Sequence, residues 1–432
     1  MECMVDYFKD KKVILYGYGV SNKAVEEVLI KSNIDFIIYI DGEQIPYIDR
    51  NCVVIKSNGI RPDTPFLKSA REKQVEVIND LELYSLFFKK GTVIGITGSN
   101  GKTTTSNLIN KILKDSKFIG NNGVGVLSNQ IDTKYSVIEC SSFMLDQVES
   151  FHPNIFVILN IEYHHIDYHK SFSNYLDAKM KPLKIMNRND LVVFNYDDRI
   201  LRRCMGNYKL NIKSFSLEPN SLFTNCYLMD DAVYYEGKEF IKLKLLKSIS
   251  KHNIQNIMAA IVVCKYLNVK DEDIKNIICE LDVLPHRIEK FLTNNNISFY
   301  NDSKATNPYA TISAIEYLHE FKNEEKLILI MGGKIIKDNY IGLMKVIDLV
   351  DEIYLFGENR FILYDLLKKN DYDNIFIFEL LEEVVENMSV RVKDCAVILF
   401  SPASTSFDQF ENYESRGNKF KELCFKYYND LH

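Results

Sequence analysis

The stretch Thr92-Val93-Ile94-Gly95-Ile96-Thr97-Gly98-Ser99-Asn100-Gly101-Lys102-Thr103-Thr104-Thr105 constrains this chain more than any other. A β-branched run reads as a buried strand, a glycine-rich turn follows, and Gly-Lys-Thr opens a helix predicted over Thr103 to Leu113. Strand, turn and helix in that order make a phosphate-binding loop. Backbone N–H groups cup phosphate oxygens, Lys102 supplies a positive point charge, and the Thr103 hydroxyl is placed to ligate Mg2+. The strict G-x-x-x-x-G-K-[ST] spacing is missed, because Ile96 stands five residues before Gly101 and Gly95 and Gly98 flank that position. A glycine-rich turn that carries a lysine by chance is the competing account. The ordered succession of elements favours a bound nucleoside triphosphate.

A length of 432 residues suggests two to four domains, and 46% apolar with 26% charged residues is ordinary for a soluble globular protein. The net charge of -6 is mild and spread along the chain, giving no basic face for nucleic acid and no polybasic membrane anchor. The nine cysteines are scattered and never in a C-x-x-C pair, which argues against a disulfide framework and a structural zinc site. Met1–Lys12 is charged and lacks an apolar core, and no window approaches a membrane span. The expected setting is the cytoplasm, with neither membrane nor nucleic acid as a partner.

In chain order, Lys12 to Asn22 reads as a strand, a Gly-x-Gly turn and the start of a helix through Ile30, followed by a strand Phe36–Ile40 ending at Asp41. This opens a Rossmann-like unit, with an acidic residue where a ribose-binding carboxylate falls. Asn22 stands where a dinucleotide fingerprint has its third glycine, so a Rossmann-like unit without a dinucleotide is equally open. A strand Cys52–Lys56 leads into the turn Ser57-Asn58-Gly59 at the carboxyl edge of a parallel sheet. After the phosphate loop come a glycine-rich loop, Gly120-Asn121-Asn122-Gly123, and a strand Tyr135–Ile138 ending in Glu139-Cys140-Ser141-Ser142-Phe143. Downstream of a phosphate loop, Glu139 is a candidate Mg2+ ligand, with a strand-end surface charge as the alternative.

The apolar strand Ile155–Asn160 lies in a histidine-rich region (His152, His164, His165 and His169), and the cluster at its carboxyl end is a metal or phosphate candidate. A helix Tyr175–Met186 carries Lys179, by pattern alone a helix-face lysine. Residues 191–250 suggest only short strands and charged turns, and a helix from Lys251 to about Tyr266 places Asn253 and Asn256 on one face. Beyond a boundary at Leu284, strands are predicted at Ile297–Asn301, Leu327–Met331, Glu352–Phe356, Ile375–Phe378 and Ala396–Phe400, several followed by polar turns. The expected fold is therefore α/β in three domains: a Rossmann-like domain over 1–89, a central P-loop ATPase-type domain over 90–283 and a Rossmann-like C-terminal domain over 284–432.

Taken together, Gly98-Ser99-Asn100-Gly101-Lys102-Thr103-Thr104, Gly120-Asn121-Asn122-Gly123, Glu139-Cys140-Ser141-Ser142-Phe143, His252-Asn253-Ile254-Gln255-Asn256 and Pro285-His286-Arg287 resemble the Mur ligase family. Asn301-Asp302-Ser303-Lys304-Ala305-Thr306-Asn307 and the string from Ser401 through Phe407, Tyr413, Arg416 and Gly417 resemble its D-glutamate-adding branch. The resemblance covers all three domains and implies an ATP-dependent amide ligase of peptidoglycan precursor synthesis. Its substrates would be UDP-MurNAc-L-alanine (UDP-N-acetylmuramoyl-L-alanine), D-glutamate and ATP, with an acyl phosphate between them, and the protein would work as a monomer.

By that resemblance Gly98, Asn100, Gly101, Lys102, Thr103 and Thr104 hold the phosphates, and Thr103 with Glu139 holds one Mg2+. His165 holds a second Mg2+, and Lys179 is carbamylated by CO2 into an oxygen ligand. Asn256, Arg287 and Asp302 hold adenine, phosphate and ribose. Lys304, Thr306, Ser406, Phe407 and Tyr413 bind D-glutamate together with Lys337, Lys334 being the alternative. Asp41, Ser57 and Gly59 hold the uridine diphosphate, and Asn121 and Ser142 face the substrate. The chain departs from the family pattern at His164, where an aspartate is usual, at Asn58, at Asn22 and in the register of Lys334 and Lys337. Another Mur or folylpolyglutamate-type amide ligase, or a catalytically silent nucleotide-binding relative, are the alternatives.

Overall fold

The computed structural model describes residues 2–128, 132–163, 165–219, 223–246, 251–280, 285–321, 325–335, 340–393 and 395–428. The chain divides into two compact units, Met1–Leu281 and Asp282–His432. The expected boundary at 283/284, like His164 and Lys337, lies outside the described residues.

The first unit holds two sheets. The smaller has four parallel strands, β1 (Lys12–Tyr16), β2 (Phe36–Tyr39), β3 (Cys52–Lys56) and β4 (Glu76–Ile78), in the order β2-β1-β3-β4. The larger is built from β5 (Thr92–Thr97), β6 (Ser116–Gly120), β7 (Tyr135–Glu139), β8 (Ile155–Ile158), β9 (Leu191–Asn195), β10 (Asn211–Ser216), β11 (Cys226–Met229), β12 (Ala232–Tyr235) and β13 (Lys238–Lys242). Its order is β13-β12-β11-β10-β9-β8-β5-β7-β6, parallel from β6 through β11 and antiparallel at the β11, β12, β13 edge. Strands β5, β7, β8 and β9 are buried almost throughout. A parallel strand covered on both faces must be a continuous apolar run, and that is how these segments read.

The region 191–250, nearly mute in the sequence, supplies β9 to β13. The β12–β13 hairpin turns at Glu236-Gly237, both with positive φ (47° and 80°), the geometry of a two-residue turn that matches strand twist. The helix expected over Tyr175–Met186 runs instead over Phe172–Met180 and tightens into a 3-10 turn at Lys181–Lys184. Ser171 caps its start by accepting from the Asn174 N–H, and Pro182, which has no N–H to donate, stops the α-helical ladder.

The second unit carries β14 (Glu289–Asn294), β15 (Ile297–Asn301), β16 (Lys326–Gly332), β17 (Glu352–Phe356), β18 (Ile375–Ile377) and β19 (Ala396–Phe400), in the order β14-β15-β19-β16-β17-β18. Only β14 is antiparallel, joined to β15 through Asn295 and Asn296 at φ 46° and 62°. Among the described residues no helix is long and apolar enough to cross a membrane.

Candidate active site

In the larger sheet of the first unit, β5 lies between β7 and β8. The chain crosses from one side of β5 to the other there, the place where open α/β sheets bind ligands beyond their strand ends. Three segments leave the carboxyl ends of these neighbours: the glycine-rich loop after β5, Glu139 at the end of β7, and Asn160 to Tyr163 after β8.

The loop after β5 turns into the helix Lys102–Ile112 at Gly101, whose φ is +82°. A Cβ there would sit 2.3 Å from Asn256 Oδ1, so only glycine fits. Asn256 itself accepts from Thr105 Oγ1 at 3.1 Å, which joins the helix Lys251–Tyr266 to the loop helix. The segment after β8 clamps the other side. Ser99 N–H donates to Asn160 O (3.0 Å), Asn100 N–H to Asn160 Oδ1 (2.7 Å), and Asn100 Nδ2 to Glu162 Oε2 (2.8 Å). Glu162 N–H in turn donates to Ser99 Oγ, which also bonds Tyr175 OH at 2.7 Å. Glu162, to which the sequence reasoning gave no role, ties this segment to the loop. Its carboxyl is pushed up to about 7, first by burial and then by the nearby Asp198 charge, against the pull of Asn100 and Lys102.

Lys102 Nζ folds onto the carbonyls of Gly98 (2.7 Å) and Ser99 (2.9 Å). Lys179, only 1% exposed, donates to Gly98 O (2.9 Å) and Thr97 Oγ1 (3.2 Å). Burial, reinforced by the Lys102 charge, holds the Lys179 amine well below the ordinary lysine range. The helix-face lysine of the sequence is thus a buried amine facing the phosphate loop.

Glu139 is also buried, with Oε1 accepting from Asn121 Nδ2 at 3.0 Å, while Oε2 has no hydrogen-bond partner among the described residues. A buried carboxylate oxygen without a donor is costly unless a cation takes it. Magnesium takes oxygen ligands and is commonly held by one or two carboxylates plus phosphate oxygens, so the residues fit it. Among the described residues no group of three or more His, Cys, Asp or Glu could hold a metal alone. Any such ion needs the substrate phosphates or further oxygens.

The histidines separate. His152 bonds Asp190 (2.6 Å), His169 is buried against Ser142 Oγ (3.0 Å), and His165 sits in the left-handed region (φ 54°) beside the Phe143 ring. Ser142 opens the short helix Ser142–Asp146, capped by Ser141.

At the carboxyl edge of the smaller sheet, Tyr16 OH donates to Asp41 Oδ1 (2.6 Å) and Ser21 Oγ lies 3.1 Å from Ser57 Oγ. Asn22, where a third glycine was looked for, is fully buried, and its Nδ2 donates to the carbonyls of Tyr16, Gly17 and Ile55. Its amide staples β1 to β3. Asn58 accepts from Asn79 Nδ2 (3.1 Å) and donates to Asp80 Oδ1 (2.9 Å), so its side chain fixes the turn that carries Ser57 and Gly59.

In the second unit the loops after β15, β16 and β19 meet. Ser401 Oγ donates to Asp302 Oδ2 (2.7 Å) and Ile288 N–H to Asp302 Oδ1 (3.2 Å). Arg416 is fully buried and donates to Ser303 Oγ, Ser303 O and Ser404 O. Lys304 Nζ lies 3.8 Å from the Tyr413 ring centre. Thr306 is half-buried, Ser406 is buried, and Phe407 and Lys334 are exposed at the same edge, while Arg287 is half-buried near its start.

A phosphate loop at a switch point and two acidic or amine groups buried against it define a nucleotide-dependent enzyme. The family model for the Mur ligase middle domain matches residues 96–264, and that for the Mur ligase glutamate ligase domain matches 286–404. The chain belongs to the Mur ligase family and is an ATP-dependent amide-bond-forming ligase. Among its relatives, the UDP-N-acetylmuramoylalanine–D-glutamate ligase of Aquifex aeolicus is 34% identical, over 95% of this chain and 98% of that protein. The enzyme of the same name from Oenococcus oeni is 31% identical over 96% and 97%. In fold, the chain is similar to the MurF ligase of Thermotoga maritima solved with ADP, with a TM-score of 0.66, 18% identity and 98% and 97% of the two chains covered.

Proposed function

We propose that this chain joins D-glutamate to UDP-MurNAc-L-alanine at the expense of ATP, in peptidoglycan precursor synthesis. The observation that carries the reading is the end-to-end likeness to D-glutamate ligases in a chain whose phosphate loop is intact. A carboxylate oxygen of UDP-MurNAc-L-alanine attacks the γ-phosphorus of ATP, the bond to the ADP oxygen breaks, and an acyl phosphate forms. The D-glutamate nitrogen adds to the acyl carbon, loses its proton, and the tetrahedral intermediate expels phosphate as the amide closes. Such chemistry needs positioning and charge neutralisation more than covalent help.

Gly98, Asn100, Gly101, Lys102, Thr103 and Thr104 hold the polyphosphate, Asn256 borders the adenine, and Arg287 and Asp302 serve phosphate and ribose. Thr103, Glu139, His165 and a carbamate on Lys179 would hold two Mg2+ ions, which supply charge neutralisation when bound. Asp41, Ser57 and Gly59 bind the uridine diphosphate, with Asn121 and Ser142 toward the sugar and acyl end. Lys304, Thr306, Ser406, Phe407 and Tyr413 take the carboxylates of D-glutamate, with Lys334 or Lys337 as the further cation. The enzyme acts as a cytoplasmic monomer of three functional parts divided near Lys90 and Leu284. Phosphate release from ATP with UDP-MurNAc-L-alanine tests the reading when D-glutamate, L-glutamate and L-alanine are compared as the amine. Release with D-glutamate alone is expected, and release with another amine in its place overturns the acceptor assignment.

A further inference from the structure

Glu162 stands where an acid is least comfortable. It accepts from Asn100 of the phosphate loop at 2.8 Å, and its own N–H is tied to Ser99 Oγ at 2.8 Å. The groups that bear on it come from every side. Lys102 belongs to the loop helix, Tyr175 reaches it through Ser99, and Asp198 stands at the head of the helix Arg199–Met205. Asp198 is fixed there, accepting from the N–H groups of Ile161, Ile200 and Leu201, so it cannot turn away. Glu162 thus ties its carboxyl to a loop built to receive a polyanion, with the Asp198 charge raising that carboxyl and the Lys102 charge lowering it.

We propose that Glu162 is a positioning residue of the phosphate loop that takes up one proton from solvent as a nucleotide polyphosphate binds, making nucleotide affinity proton-linked. As the neutral acid it holds Asn100 without repelling phosphate. As the carboxylate it sets a second negative charge against the polyphosphate, and only the field of Lys102 offsets it. With its carboxyl already near 7 in the free protein, an incoming polyanion raises it further, and protonation follows. This rests on the reading that the loop binds ATP.

The test is calorimetric titration of the full chain with the non-hydrolysable analogue adenylyl imidodiphosphate and Mg2+, in buffers of differing ionisation heat, from pH 6 to 8.5. Near pH 7 uptake of up to about half a proton per nucleotide is expected, with affinity falling by up to about tenfold per pH unit above it. Glu162→Gln keeps an acceptor for Asn100 and removes the charge. It should abolish the uptake, match wild type at pH 6 and bind about tenfold more tightly than wild type at pH 8. Nucleotide binding without uptake in the wild type, or uptake undiminished in Glu162→Gln, overturns the inference and leaves the ATP reading standing. Absence of any nucleotide binding overturns both. Should Glu162→Gln not fold, Asp198→Asn must move the uptake to lower pH, because it removes the second-largest cause of the raised carboxyl. An unmoved profile would count against the inference.

Discussion

Lys102 and Lys179 donate to one and the same backbone oxygen, the carbonyl of Gly98, at 2.7 and 2.9 Å. Two ammonium groups that close repel, and the one without water gives way. Lys179 is the buried partner, and both burial and the Lys102 charge press it toward the neutral amine. A neutral amine is the form that adds to CO2. A carbamate on Lys179, as proposed above, would be an anion, turning repulsion from Lys102 into attraction and furnishing oxygen ligands.

Lys179→Ala should therefore lower kcat by at least about a hundredfold, the scale of several kcal/mol of lost charge stabilisation. Acetate or bicarbonate should restore part of it, and wild-type protein equilibrated with 13C-bicarbonate should show a carbamate carbon by NMR that the variant lacks. A variant as active as wild type would remove the carbamate from the account.

Glu139→Gln separates stability from activity. Because Glu139 Oε2 lacks a partner among the described residues, loss of the charge should leave the thermal midpoint unchanged or raise it. The Mg2+ concentration for half-maximal activity should climb, and kcat/KM should fall by about 10²–10³. A large fall in thermal midpoint with an unaltered Mg2+ requirement would make Glu139 a structural residue.

Gly101→Ala places a methyl 2.3 Å from Asn256 Oδ1 on a backbone at φ +82°. The strain should cost about 1–3 kcal/mol of stability. It should also weaken ATP binding, read by equilibrium dialysis, while binding of the uridine substrate is spared.

Asn58→Ala removes both bonds that fix its turn, to Asn79 and to Asp80. A loss of about 1–3 kcal/mol is expected for the buried groups left unpaired. The KM for UDP-MurNAc-L-alanine should rise, with the KM for ATP unchanged, and an equal rise in both would refute the local role.

Asp302 gives the second unit a pH signature. Burial pushes its carboxyl up to about 7, against the pull of Ser401, the Ile288 N–H, Arg287 and Arg416. Between the ordinary carboxylate range and pH 7 the folded protein then holds a proton that the unfolded chain has lost, so stability falls as pH rises through that window. Thermal midpoints from pH 4 to 8 should show the decline, and Asp302→Asn should flatten it. A midpoint that rises with pH equally in both proteins would contradict the assignment.

The phosphate loop was legible because its strand, glycines and Lys-Thr are local in the sequence, and the helix Lys102–Ile112 differs from the expected Thr103–Leu113 by one residue at each end. Glu139 was legible as a strand-end carboxylate for the same reason. Lys179 was not, since nothing along the chain says that one helix face is sealed against Gly98; only its family likeness marked it. Glu162 escaped because its meaning lies in Asn100 and Asp198, which are 62 and 36 residues away by number. Asn22 and Asn58 read in the sequence as departures from the glycine fingerprint and the family pattern, yet their amides make the bonds that hold those turns. β14 (Glu289–Asn294) falls between the Leu284 boundary and the first strand expected after it, and its residues stay half-buried or exposed, so no buried apolar run announces it.

In the proposed reaction ATP activates a carboxylate of the substrate at this phosphate loop before the amine arrives. UDP-MurNAc-L-alanine labelled with 18O in its alanyl carboxylate, turned over with ATP and D-glutamate, measures this directly. Acyl phosphate formation predicts one 18O atom in each phosphate released, because the attacking oxygen leaves with the γ-phosphoryl group. Unlabelled phosphate accompanied by amide product would contradict the account.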